Sequence, residues 1–226
     1  TSHRSLNLFV SRADTAFIYK LTQYPRDDSA RLSLAGCEMA SIDKKEDKHF
    51  PLFAHDNIFR RLFENPREYC QYVKNGQTVA DLGCGPAYYT MALADCVGPE
   101  GKVYAVDSDE KAIRKVEEKA QKLGIYNIET HTSTASELNY IRTESIDFLL
   151  AHGLLCSMAP SQHAAAVSEM KRILKPAAQA YLTAAKGFYS YMSLEKWEKI
   201  LKEFRVESRG GDGFLSLDRW ALVSKR

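Results

Sequence analysis

The sequence lacks long apolar runs, a strong net charge and a signal-peptide core. None of its hydrophobic stretches approaches the roughly 20 residues that cross a bilayer, so we predict no membrane span. The formal net charge of only +2 argues against the strong positive field of nucleic-acid-binding proteins, and no nucleic-acid partner is expected. The first residues have no apolar segment typical of a secretory signal.

Cysteines are few, scattered and odd in number. The five are Cys37, Cys70, Cys84, Cys96 and Cys156. Because none forms a Cys-x-x-Cys pair, their spacing favours neither a zinc site nor a disulfide framework. Reduced thiols in the cytoplasm are the simplest interpretation. Cys84 is interpreted as a small filler rather than a nucleophile, since no histidine is close in sequence to activate it.

The most informative stretch covers residues 79–87, where an apolar run meets an acid and then a Gly-x-Gly turn. This pattern predicts a buried strand, a tight loop and the start of a helix. Gly83 and Gly85 can adopt positive φ and let a ligand approach the backbone closely. The helix behind them directs its positive dipole end at the same place. A βα turn without a ligand would show the same pattern, so other stretches must decide.

A second strand-like run, residues 102–107, also ends in an acid, Asp107. A carboxylate there can accept hydrogen bonds from the two ribose hydroxyls of a nucleoside. A dinucleotide fingerprint would place its third glycine at Tyr88, so a pyrophosphate site loses support. Asp81 would also repel a pyrophosphate. An NAD-dependent oxidoreductase is therefore the less favoured alternative.

Together these stretches resemble the class I, Rossmann-like S-adenosylmethionine-dependent methyltransferases. The stretches that carry the resemblance are residues 79–87, 103–107, 145–150 and 169–176. It extends from about residue 75 to the C-terminus and is greatest for the small-molecule branch that includes ubiquinone- and menaquinone-biosynthesis-type enzymes. It implies S-adenosylmethionine as cofactor and S-adenosylhomocysteine as product. Ala87 replaces the glycine usual in the family, and we expect binding to tolerate its methyl group.

The resemblance also implies roles for individual residues. The methionine end of the cofactor would be held by Asp81, Gly83, Cys84 and Gly85, the ribose by Asp107, and the adenine by Ser108, Thr134 and Ala135. Where the family often has an acid for the adenine amino group, this chain has Thr134. Its hydroxyl can still accept one hydrogen bond, with an ordinary loop hydroxyl as the alternative.

His152 follows the fourth predicted strand, at the edge where open α/β sheets bind ligands. The resemblance places this edge beside the sulfonium of the cofactor. His152 is therefore a candidate cofactor contact and catalytic general base, with a structural, hydrogen-bonded histidine as the alternative. The metal-dependent catechol-type enzymes have an acid here, and its absence predicts no catalytic metal.

Residues 1–74 are predicted to form a partly helical N-terminal extension, with short helices over 55–63 and 66–73. Residues 75–226 are predicted to form the methyltransferase domain. In many members of the family such a segment covers the cofactor cleft. An aromatic loop after the fifth predicted strand could close over a flat or apolar substrate. The candidate substrate residues in these two segments are His55, Phe59, Phe188, Tyr189 and Tyr191. Simple packing of these rings is the alternative.

From residue 75 onward strand and helix patterns alternate, which predicts an α/β three-layer sandwich with a mostly parallel, seven-stranded sheet. The predicted strands are 78–82, 103–107, 128–131, 146–151 and 179–184, and the helices are 88–97, 109–123, 161–174 and 194–204. A glycine turn at 210–213 lies between two further β-like runs and predicts a C-terminal antiparallel hairpin. The family closes its sheet in this way, whereas an NAD dehydrogenase does not.

The predicted function is methyl transfer from S-adenosylmethionine to a small-molecule acceptor, with a non-catalytic cofactor-binding module as an alternative. Transfer from a sulfonium is an in-line displacement in which the donor already carries the activation. The protein supplies alignment, water exclusion and, for some acceptors, removal of a proton. The sequence therefore leaves open the acceptor atom (C, N, O or S) and the oligomeric state.

Overall fold

A computed structural model describes residues 65–186, 192–211, 213 and 218–226. They all belong to one compact unit, Glu46–Arg226. The strands are β1 (Thr78–Leu82), β2 (Lys102–Asp107), β3 (Ile128–Thr132), β4 (Ile146–Ala151), β5 (Leu174–Ala185), β6 (Arg205–Gly210) and β7 (Asp218–Ser224). The α-helices are α1 (Thr90–Val97), α2 (Glu110–Leu123), α3 (Leu154–Ser157), α4 (His163–Ile173) and α5 (Leu194–Leu201), and two 3-10 helices cover Glu68–Tyr72 and Pro160–Gln162.

The seven strands form one sheet in the order β3-β2-β1-β4-β5-β7-β6. The first five are parallel, while β7 runs antiparallel to both β5 and β6. This confirms the predicted α/β class, the mostly parallel sheet and the C-terminal hairpin. The chain crosses from β3 to β4 on the other side of β1, so β1 lies at the switch point where such sheets bind ligands.

Helices cover both faces of the sheet because β1 and β4 are apolar on both sides. Val79 packs into a cluster with α1 and the first 3-10 helix, whereas its neighbour Ala80 packs into a cluster with α4 and α5. Helix α2 packs over Ala105 of β2 on the same face as α1. The three layers place the carboxyl ends of β1, β2 and β4 together at one edge.

Several predicted boundaries differ from the structure. Helix α1 begins at Thr90 rather than at residue 88, because the loop before it holds Ala87 at φ 68°. Strand β5 begins at Leu174, earlier than predicted, because Leu174 pairs with Ile146 ahead of a shift in register. The helix predicted over 66–73 is the 3-10 helix Glu68–Tyr72. The helix predicted over 55–63 lies outside the described residues.

The prediction of reduced thiols is wrong for two of the five cysteines. A disulfide joins Cys70 of the first 3-10 helix to Cys96 in the last turn of α1, with a separation of 26 residues in sequence. A search for closely spaced cysteines could not find this pair, because the two residues are brought together only when the 3-10 helix packs on α1. Arg67 pairs with Asp95 beside it at 2.7 Å. Disulfides are typical of oxidising compartments, and the cytoplasmic location stays a prediction.

In the described part of the chain, helices are too short or too polar to span a bilayer. The same residues contain no group of three or more His, Cys, Asp or Glu side chains arranged to hold a metal ion. Independence from a catalytic metal stays a prediction.

Candidate active site

A loop of residues 83–87, here called the glycine loop, joins β1 to the turn before α1. The amides of Gly83 and Cys84 both donate to the carbonyl oxygen of Val106, at 2.7 and 3.1 Å. The next amide, that of Gly85, donates to Oδ2 of Asp107 at 2.9 Å. Three successive loop amides are thus bound to the end of β2. These bonds fix the loop beside the acid that the sequence assigns to the ribose.

Two features favour glycine at position 83. Its φ of 72° is unfavourable for other residues, and an added Cβ would lie only 3.0 Å from Cδ1 of Leu154. The loop therefore packs tightly against α3, which follows β4. On its other side Lys119 of α2 donates to the carbonyl oxygen of Pro86 at 2.6 Å. The glycine loop is held in place from β2, α2 and α3.

Asp107 binds two backbone amides. Its Oδ2 accepts from Gly85, and its Oδ1 accepts from the amide of Asp109 at 2.8 Å. Asp109 in turn caps α2 by accepting from the amide of Lys111 at 2.9 Å. Each carboxylate oxygen has two lone pairs, so both oxygens of Asp107 retain capacity for a ligand hydroxyl.

Asp81 is 2% exposed and lies at the point where β1 reaches the loop. Its Oδ2 accepts a hydrogen bond from Oγ1 of Thr90 at 2.7 Å, and Thr90 is itself fully buried. A hydrogen bond between a charged and a neutral group in such a dry environment is strong. Thr90 was not among the predicted site residues, although a hydroxyl residue at the start of the helix that follows an acid was a usable signal.

The environment of Cys84 is consistent with a small buried side chain that fills space rather than with a nucleophile. Burial raises the pKa of its thiol, and the nearby charges of Asp81 and Asp107 raise it further. The thiol therefore stays protonated at neutral pH, and a protonated thiol is a poor nucleophile.

A pocket lies between the loops that follow β2, β3 and β4. The described residues that line it are Asp107, Ser108, Ser133, Thr134, Ala135, Leu154, Ser157 and Met158. The structure thus brings together the four residues predicted for ribose and adenine. It adds two hydroxyls, Ser133 and Ser157, and two apolar side chains, Leu154 and Met158, which local sequence patterns did not indicate.

His152 lies at the same edge, immediately after β4. Its Nε2 is 3.4 Å from the hydroxyl of Tyr89, and the two ring centroids are 4.8 Å apart. Tyr69, from the first 3-10 helix, packs edge-on against Tyr89 with centroids 4.9 Å apart. Burial raises the pKa of Tyr69, with a further contribution from Tyr89, so its phenol stays protonated. Neither tyrosine was among the predicted site residues.

The predicted substrate residues lie outside the described residues. They are His55, Phe59, Phe188, Tyr189 and Tyr191. Their assignment stays a prediction.

Comparison with known proteins agrees with this geometry. Residues 79–177, from β1 into β5, match the family described as "Methyltransferase domain". This span contains the glycine loop, Asp107, the pocket and His152.

Residues 79–177 are thus similar to methyltransferase domains.

Individual relatives of this methyltransferase domain are also enzymes of methyl transfer. The chain is 34% identical over 104 residues to the demethylmenaquinone methyltransferase of Geobacillus stearothermophilus, covering 46% of this chain and 43% of that protein. It is 40% identical over 81 residues to a probable cobalt-precorrin-6B C(15)-methyltransferase of Saccharolobus solfataricus, covering 32% of this chain and 41% of that protein. The chain spans less than half the length of these curated relatives.

Solved structures share the fold over a longer part of the chain. A SAM-dependent methyltransferase from Aquifex aeolicus has a TM-score of 0.64 at 24% identity, covering 77% of this chain and 97% of that one. The magnesium protoporphyrin IX methyltransferase of Synechocystis PCC 6803 has a TM-score of 0.55 at 20% identity, covering 67% and 71%. The latter structure contains bound SAM.

The cofactor of this family is S-adenosylmethionine, and the residues of the methyltransferase domain fit it. At Gly83 the loop packs against Leu154, a side chain that also lines the pocket beside Asp107. Asp107 at the end of β2 retains acceptor capacity toward a diol. The adjacent pocket combines hydroxyls with apolar side chains, a mixture that suits a purine.

Proposed function

We propose that the protein is an S-adenosylmethionine-dependent methyltransferase that acts on a small-molecule acceptor by in-line transfer. One observation carries this proposal. The glycine loop, bound to Asp107, and the Tyr89–His152 pair lie at the carboxyl edge of adjacent strands. A methyl donor held by the glycine loop and a methyl acceptor beside the Tyr89–His152 pair would therefore be neighbours.

On the donor side, Asp81 and the glycine loop would hold the methionine end, and Asp107 would accept from the ribose hydroxyls. Ser108, Thr134 and Ala135 would border the adenine. When bound, the cofactor supplies an electrophilic methyl group on a sulfonium. The work of these residues is to fix its direction, because in-line displacement depends on alignment.

On the acceptor side, His152 would accept a proton from the attacking group. Tyr89 contacts the imidazole, and Tyr69 packs behind Tyr89, so the ring orientation of His152 is supported from one side. Since the phenol of Tyr69 stays protonated, it is unsuited to act as a base itself. An acceptor that is already a thiolate or a stabilised carbanion would not need His152.

A small-molecule acceptor is supported by the curated relatives. Their names refer to a menaquinone precursor and to a cobalt-precorrin. Aromatic side chains around His152 are consistent with a flat acceptor, because rings stack on rings.

The test is turnover with a panel of acceptors. The purified protein is incubated with S-adenosylmethionine and phenol, naphthoquinol, amine and thiol acceptors, and S-adenosylhomocysteine is measured by mass spectrometry. We expect release with at least one acceptor. For a phenolic acceptor, His152→Gln should lower kcat by about 10²- to 10⁴-fold, whereas Tyr89→Phe, which keeps the ring, should lower it much less.

Two results would contradict the proposal. Binding of S-adenosylhomocysteine without turnover of any acceptor in the panel would favour a non-catalytic module. An unchanged kcat in His152→Gln with a phenolic acceptor would remove His152 from the mechanism.

A further inference from the structure

The pocket beside Asp107 has a wall of hydroxyl groups. Ser133 and Thr134 follow β3, and Ser157 ends α3. Of the described residues that line the pocket, Asp107 alone carries a charge, and its two oxygens already bind the amides of Gly85 and Asp109. Where a purine base would lie, the wall away from Asp107 is therefore neutral.

Each hydroxyl already has a partner in the protein. Ser133 donates to the carbonyl oxygen of Glu137 at 2.8 Å, and Ser157 donates to that of Leu154, also at 2.8 Å. Oγ1 of Thr134 accepts from the amide of Ser136 at 3.2 Å. These bonds orient the hydroxyls, but a hydroxyl can rotate and exchange the roles of donor and acceptor.

The ability of a hydroxyl to act as donor or acceptor affects which purines the pocket can bind. A carboxylate that faces the 6-substituent can only accept, so it pairs with a 6-amino group and finds no donor on a 6-oxo oxygen. Sites with such a fixed hydrogen-bond requirement discriminate by about 10⁴-fold or more. A hydroxyl can accept from an amino group or donate to a carbonyl oxygen. A hydroxyl wall should therefore tolerate both.

We propose that Ser133, Thr134 and Ser157 form a permissive base pocket that binds 6-oxo and 6-amino purine nucleosides with similar affinity. This inference rests on the proposed function, since it takes the ligand of the pocket to be the nucleoside part of the cofactor. Leu154 and Met158 supply apolar contact that does not depend on the 6-substituent. Thr134 is the position that sets this selectivity.

The experiment is calorimetric binding of two probes, S-adenosylhomocysteine and its 6-oxo analogue S-inosylhomocysteine. For the natural sequence we expect dissociation constants within about tenfold of each other. Thr134→Asp, which places a carboxylate in the wall, should weaken the 6-oxo probe relative to the 6-amino probe by a further hundredfold or so. Thr132→Asp is the matched control, because Thr132 is exposed two residues earlier and should leave the ratio unchanged.

The possible outcomes separate this inference from the proposed function. Binding of S-adenosylhomocysteine with rejection of the 6-oxo probe by more than about a hundredfold overturns the permissive pocket and leaves the function intact. A ratio unmoved by Thr134→Asp, in a variant that melts like the natural protein, overturns the role of Thr134. Failure of the natural protein to bind either probe overturns the proposed function itself.

Discussion

Breaking the Cys70–Cys96 disulfide should cost the domain a large share of its stability. The bond links the first 3-10 helix to α1 across 26 residues of chain. A cross-link stabilises mainly by restricting the unfolded chain, and for a loop of this length the entropic contribution is about 3.5 kcal/mol. The 3-10 helix has five residues and no side-chain cap, so it depends on packing against α1.

The assay is urea unfolding of the natural protein and of Cys96→Ser, each with and without dithiothreitol. With a slope of about 1–3 kcal/mol per molar urea, a loss of about 3.5 kcal/mol lowers the midpoint by about 1 M or more. The reductant should lower the midpoint of the natural protein and leave that of Cys96→Ser unchanged. Cys96→Ser therefore serves as the control for any other effect of the reductant on the natural protein.

Thiol titration in denaturant provides the independent check. Reduction should expose two thiols more than are found in the untreated protein, since the disulfide contains two of the five cysteines. Equal thiol counts before and after reduction would show that the bond does not form. An unchanged midpoint despite two newly titrated thiols would refute the argument that the bond restricts the unfolded chain.

Three further variants test the donor side. Asp107→Ala should weaken S-adenosylhomocysteine binding by about 30- to 1,000-fold, because charged hydrogen bonds worth about 2–4 kcal/mol are lost. It should also lower the melting temperature, because the amides of Gly85 and Asp109 lose their acceptor. An unchanged dissociation constant would rule out the ribose role. Thr90→Val removes the donor to the buried Asp81 and should cost about 1–3 kcal/mol in urea unfolding, a loss that equal midpoints would disprove. Ala87→Gly relieves a positive φ of 68° but removes a buried methyl group. We therefore expect its affinity for S-adenosylhomocysteine to be within about threefold, and its unfolding free energy within about 1 kcal/mol, of those of the natural protein. A tenfold change in the calorimetric affinity would show that the methyl group matters.

Much of the fold followed from local patterns. Strands β1 and β4 have the predicted bounds because each is a short apolar run with sharp ends. Asp109 was a predictable cap because capping is decided within one turn of helix. The glycine loop and Asp107 were found for the same reason, since each directly follows its strand. Their positions rest on contacts between neighbours in sequence.

The features that were missed depend on contacts between distant segments. Tyr69 and Cys70 belong to a stretch without a recognisable motif. Tyr69 reaches His152, and Cys70 reaches Cys96, only when the 3-10 helix packs on α1. The start of β5 is set by its pairing with β4 and not by its own sequence. Ser157 reaches the pocket because α3 turns back over the glycine loop, which no periodicity could indicate.

The central claim is that this edge of the sheet binds an S-adenosyl ligand. Calorimetric titration of the natural protein with S-adenosylhomocysteine, and separately with NAD, tests it most directly. We predict saturable binding of S-adenosylhomocysteine at one site per chain and no measurable heat with NAD. Tighter binding of NAD than of S-adenosylhomocysteine would contradict the account.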